Sequence, residues 1–93
     1  MALAFEWDPR KAASNQAKHD VSFEEAATAF ADPLSLSIPD ASHSRLEARY
    51  VLLGLSRAGR LLVVVHTERG HNILLLSARQ APRKERHSYE EIS

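Results

Sequence analysis

The sequence predicts an α+β domain in which amphipathic helices cover the apolar face of an antiparallel sheet. Three observations lead there. Two helix starts with capping chemistry, at Asp8-Pro9 and at Ser22, come early in the chain. Several apolar segments rich in Val, Ile and Leu follow, separated by turns too short for crossover helices. A last helical pattern begins at Pro82. Ninety-three residues suffice for one core, so one domain over residues 1–93 is expected.

At the start, Leu3, Phe5 and Trp7 alternate with Ala4 and Glu6, the pattern of a short half-buried strand. Asp8 then suits an N-cap and Pro9 the first helical position, so a helix runs to about His19, with Lys11, Asn15, Lys18 and His19 on one side. The second helix opens with Ser22 and Glu25 as an S-x-x-E capping box and Val21 as a hydrophobic staple. Its residues Phe23, Ala26, Ala27 and Phe30 recur on one face, and Asp32-Pro33 ends it.

The remaining elements form the sheet. Leu34, Leu36 and Ile38 alternate with serines as in an edge strand, and a polar turn follows at residues 39–44. A longer strand is expected over Glu47 to Leu55, a turn at Arg57 to Arg60, and a central strand at Leu61 to Val65, whose apolar run does not alternate. Thr67 to His71 reads as the next turn and Ile73 to Ala78 as the last strand. The helix from Pro82 carries Glu85 with Tyr89 and Arg86 with Glu90 at i,i+4 spacing. The result is a three- to four-stranded antiparallel sheet.

Composition excludes several function classes. There is no cysteine, so disulfides, thiolate zinc sites and cysteine nucleophiles are all ruled out, and a reducing cytoplasm fits. Acids near the N-terminus interrupt any signal-peptide core, and no apolar run reaches the roughly 18 residues of a membrane span. His43, His66, His71 and His87 have no metal-ligand spacing, and no H-E-x-x-H, Walker or dinucleotide fingerprint occurs, so no metal or cofactor is expected. The net charge of +0 conceals a polarity. Residues 1–50 carry five Lys/Arg against eight Asp/Glu (−3), and residues 51–93 carry seven against four (+3). A local cationic patch can hold a phosphate backbone even in a neutral protein, although a solvated basic helix end has the same composition.

Several separated motifs resemble the BrnT family of ribonuclease toxins. They are Phe5-Glu-Trp-Asp8, Lys18-His19, Val21-Ser-Phe-Glu-Glu-Ala26, Phe30-Ala-Asp-Pro33, the stretch from Gly59 to Gly70, Leu76-Ser-Ala-Arg79, Glu85-Arg86 and Tyr89-Glu90-Glu91. The resemblance spans nearly the whole chain. It implies a RelE-like fold, a ribonuclease that inhibits translation, and neutralisation by a BrnA-type antitoxin. Asp20 departs from the glycine usual after Lys-His in the family, at a position that calls for a left-handed backbone, which Asp tolerates.

A metal-independent ribonuclease must activate a ribose 2′-OH, stabilise charge on phosphorus and protonate the leaving 5′ oxygen. Arg offers a bidentate phosphate fork, and His exchanges protons near neutrality. The catalytic candidates are Arg79, at the end of the last strand, and His19 with Lys18, taken from the family's Lys-His. Arg83, Arg86, Arg69, Tyr89 and Trp7 are candidate RNA contacts, Trp7 by stacking on a base. Several also have a structural reading: fixing the strand-to-helix turn for Arg79, an ion pair for Arg83 and Arg86, a dipole partner for His19, and packing for Tyr89 and Trp7. Two function classes follow: an RNA endonuclease toxin, or a noncatalytic partner of the antitoxin with the same fold. No helix-turn-helix is evident, so DNA contact is expected only through the antitoxin.

Overall fold

A computed structural model describes residues 3–40 and 48–92. The chain forms β1 (Ala4–Glu6), α1 (Pro9–His19), α2 (Phe23–Thr28) with a 3-10 turn at Ala29–Ala31, β2 (Leu36–Pro39), β3 (Arg49–Leu55), β4 (Leu61–Arg69), β5 (Asn72–Gln80) and α3 (Arg83–Ile92). The α+β class and the order of elements are as expected. The turn at 41–44 and the strand start at Glu47 lie outside the described residues.

Capping chemistry sets the helix ends. The Asp8 carboxylate accepts from the Arg10 N–H at 2.8 Å, and α1 stops at Asp20, whose φ of 56° and ψ of 37° are the left-handed values expected there. The Ser22 hydroxyl accepts from the Glu25 N–H at 3.0 Å. The reciprocal half of the capping box is not made. Glu25 instead turns its carboxylate to Arg60, in a close ion pair, and accepts from the Ser56 hydroxyl at 2.7 Å. Arg60 also donates to the Asp20 carbonyl at 2.8 Å, so the turn before β4 is tied to the loop between α1 and α2. The Arg60 guanidinium holds the Glu25 carboxyl below its ordinary value of 4.5.

Among the described residues the sheet has five strands in the order β1-β5-β4-β3-β2, because the short N-terminal strand, expected beside a three- to four-stranded sheet, joins it. The meander β3-β4-β5 is antiparallel and β2 adds antiparallel to β3, whereas β1 pairs parallel with β5, Phe5 opposite Ile73. Thr67 to Arg69, expected in a turn, continue β4. Only Gly70 and His71 connect it to β5, because Gly70 takes the φ of +60° that a two-residue hairpin needs.

One face of this sheet carries the core. Leu52, Leu62, Val64, Leu75 and Ala78 meet Val21, Phe23, Ala26 and Ala29 from the helical segment. Full burial of a Val, Leu or Phe contributes about 1.5–3 kcal/mol. Gly54 lets the 3-10 turn approach β3, since a Cβ there would lie 2.8 Å from the Ala29 carbonyl oxygen. Leu53, Val63 and Arg79 share the opposite face, over which α3 lies. A hydrogen bond from the Tyr89 hydroxyl to Asp32 Oδ2, 2.7 Å long, fastens α3 there.

Candidate RNA-binding groove

The groove exists because α1 is fixed along an open strand edge. Among the described residues β1 covers β5 only at residues 72–74, leaving the backbone of Ala78 without a strand neighbour on that side. Asn15 takes the strand's place. Its Oδ1 accepts from the Ala78 N–H at 3.0 Å, and its Nδ2 donates to the carbonyls of Ala78 and Val21 at 2.8 and 2.9 Å. Asn15 is buried, so the polar side of α1 read from the sequence is a docking face as well as a solvated one.

That docking aligns two adjoining hollows along the seam between α1 and β5. The first, of about 320 Å³, is lined by Glu6, Trp7, Asp8, Lys11 and Arg69 over a floor of Leu74, Leu75 and Leu76. The second, of about 220 Å³, shares Lys11 and Leu76 with it and adds Ser14, Asn15, Lys18, His19 and Ser77. Three fixed cations, Lys11, Lys18 and Arg69, therefore line one seam against two carboxylates, with His19 beside them. Asp8 is engaged in capping α1. Glu6 accepts from Asn72 Nδ2 at 2.7 Å and lies 3.7 Å from Arg69.

The structure sorts the predicted site residues into two groups. Trp7 and Arg69 meet in the first hollow, and Lys18 and His19 in the second. Arg79, Arg83, Arg86 and Tyr89 gather instead around α3. Arg79 projects from the same side of β5 as Ser77, two residues further on, and both its terminal nitrogens face the Glu85 carboxylate at 3.2 and 3.3 Å. Arg86 lies 3.7 Å from Glu90, and Arg83 is exposed at the start of the helix. The Tyr89 bond to Asp32 raises the phenol above its ordinary value of 10.0. Burial opposes charge on Asp32, but hydrogen bonds from Leu55, Tyr89 and Leu34 outweigh it and hold its carboxyl below 3.8. Lys11 was not among the predicted site residues; its signal was the helical face it shares with Lys18.

No group of three or more potential metal-ligating side chains occurs among the described residues, and no helix there is long and apolar enough to cross a membrane. The arrangement offers cations, an aromatic wall and a histidine along one seam, the residue types that bind a phosphate backbone and move protons beside it.

No curated protein sequence matches the chain. The crystal structure of the Brucella abortus ribonuclease toxin BrnT superposes with a TM-score of 0.68 at 19% identity, over 88% of this chain and 100% of that one, which establishes a common fold. The family model described as ribonuclease toxin, BrnT, of type II toxin-antitoxin system matches residues 7–85. That match takes in α1, α2, strands β2 to β5 and every residue of the seam but Glu6, and by it the chain belongs to the BrnT family of ribonuclease toxins.

Proposed function

We propose that the chain is an RNA endonuclease toxin that restrains translation, cleaves without a metal, and is neutralised by a BrnA-type antitoxin. The observation that carries this reading is the cationic seam of Lys11, Lys18, His19 and Arg69 along the edge of β5. RNA lies along it with phosphates on the lysines. At the Lys18–His19 end, the 2′ oxygen of a ribose attacks the adjacent phosphorus as it loses its proton. The P–O5′ bond breaks, and the 5′ oxygen takes up a proton, leaving a 2′,3′-cyclic phosphate. His19 exchanges protons in this step, and Lys18 offsets the charge that builds on the phosphoryl oxygens. Arg79, beyond Ser77, supplies a phosphate fork once Glu85 releases it.

The noncatalytic reading draws its support from that same pair, because an arginine held by its own helix is not free for a substrate. Induction of the chain without its antitoxin separates the two. The endonuclease reading expects growth arrest with fragmented RNA, cleavage by the purified chain in chelator, and reversal of both by the antitoxin. Arrest-free growth with intact RNA contradicts it. DNA contact, in this reading, comes through the antitoxin.

A further inference from the structure

The first hollow carries more chemistry than holding a phosphate requires. Glu6 lines it with a carboxylate fixed by Asn72 at 2.7 Å and flanked by Arg69 at 3.7 Å. Two carboxylate oxygens offer about four acceptor sites, so these neighbours orient the group and leave acceptors unfilled. Trp7 stands in the same wall, and its ring lies nearly perpendicular to Phe23, 80° between planes and 6.0 Å between centroids, so the core sets its plane. Lys11 and Arg69 border the hollow.

A ligand matching all of this is flat enough to stack on an indole, presents two adjacent N–H donors to a carboxylate, and carries a phosphate for the cations. Of the four RNA bases, only guanine sets two neighbouring donors, N1–H and N2–H, on its pairing edge. Adenine and cytosine place a donor beside an acceptor, and uracil places its donor between two carbonyls. We infer that this hollow is a guanine-reading subsite, with Glu6 accepting from N1–H and N2–H, Trp7 stacking on the ring, and Lys11 and Arg69 holding the phosphate of the same nucleotide. The inference rests on the RNA-cleavage reading above. Lys11 and His19 are eight residues apart on α1, about 12 Å at 1.5 Å per residue. The guanosine is therefore read some way along the strand from the bond that is cut, and it sets where the RNA is held.

Trp7 is the only tryptophan, so its fluorescence reports on this hollow alone. The purified chain is titrated with GMP, AMP, CMP and UMP, and with 2′-O-methyl RNA tetramers that each carry one of the four bases in a fixed position and cannot be cleaved. The expected result is quenching by GMP at concentrations at least about fivefold lower than by the others, the low end for a bidentate base contact, with the same ranking in the tetramers. Glu6→Gln, which keeps an acceptor for Asn72 but sets a donor beside it, removes the guanine preference without lowering the melting temperature. Glu6→Asp serves the same purpose should the glutamine variant not fold. Equal quenching by all four bases, or none, overturns the subsite, and so does a ranking seen with mononucleotides that vanishes in RNA, which would mark a free-nucleotide site. Loss of the ranking with cleavage intact removes the subsite alone, whereas a guanine ranking in RNA without any cleavage removes the ribonuclease reading alone.

Discussion

Arg79 and Glu85 face each other fork to fork, with both terminal guanidinium nitrogens within 3.3 Å of the carboxylate, so that α3 occupies the arginine at the end of the last strand as a phosphate would. Both side chains are substantially exposed, 43% and 38%, and such a pair is worth at most about 1 kcal/mol. An RNA phosphate can therefore exchange for Glu85. Glu85→Gln is expected to tighten RNA binding by up to about fivefold and to steepen its salt dependence. Arg79→Lys, which keeps the charge and loses the planar fork, is expected to slow cleavage more than it weakens binding. Fluorescence polarisation at two salt concentrations reads the first effect. An unchanged affinity for Glu85→Gln would place Arg79 outside the RNA path.

The seam depends on Asn15. Asn15→Ala strands the N–H and C=O of Ala78 and the C=O of Val21 in a buried setting, so a loss of about 2–5 kcal/mol is expected in a urea melt. Asn15→Asp keeps the acceptor but sets a buried carboxylate oxygen against the carbonyls of Ala78 and Val21, and is expected to destabilise at least as much as the alanine variant near neutral pH. RNA binding weakens in step with α1 docking.

Salt dependence locates the RNA path. Removing one cation that neutralises a phosphate of a single strand lowers the slope of log affinity against log salt by about 0.7. Lys11→Ala with Lys18→Ala is expected to lower it by about 1.4. Arg83→Ala with Arg86→Ala is expected to lower it less, because Arg86 already lies beside Glu90. The reverse order would move the RNA onto α3.

His66 supplies a pH test of the core. Its ring is 6% exposed, lies between Phe30 and Tyr50, and has no hydrogen-bond partner on either nitrogen among the described residues. Burial pushes its pKa below the ordinary 6.5. Between the folded and unfolded values only the unfolded chain binds the proton, so stability is complete above about pH 6.5 and falls by up to about 1.4 kcal/mol per unit below it. His66→Leu is expected to flatten that limb. The losses from protonating Glu25 and Asp32, whose pKa values are depressed, are confined to pH values below 4.5 and 3.8.

What the sequence disclosed was local. Asp8-Pro9, Ser22 and the left-handed Asp20 announce helix ends through chemistry within a few residues, and the structure places those ends accordingly. Partners distant along the chain left no such signal. Asn15 looks like any polar residue on a helix, yet its acceptor and one donor go to Ala78, 63 residues away. Glu25 fits a capping box until Arg60, 35 residues on, takes its carboxylate. Thr67 and Arg69 resemble turn residues by composition, but pairing with Leu74 and Asn72 keeps them extended. The site was legible in the same measure: family motifs supplied Lys18 and His19, whereas the meeting of Trp7, Lys11 and Arg69 around Glu6 follows from the parallel pairing of β1 with β5.

The measurement closest to the central claim is the single-turnover cleavage rate of RNA in chelator by the parent chain and by a Lys18→Ala, His19→Ala double variant. Both side chains are exposed at the end of α1, so the double variant should melt with the parent. If the seam is the site of RNA cleavage, the double variant loses at least about 100-fold in rate, the low end for general acid–base catalysis. A folded double variant that cleaves at the parent rate contradicts the account.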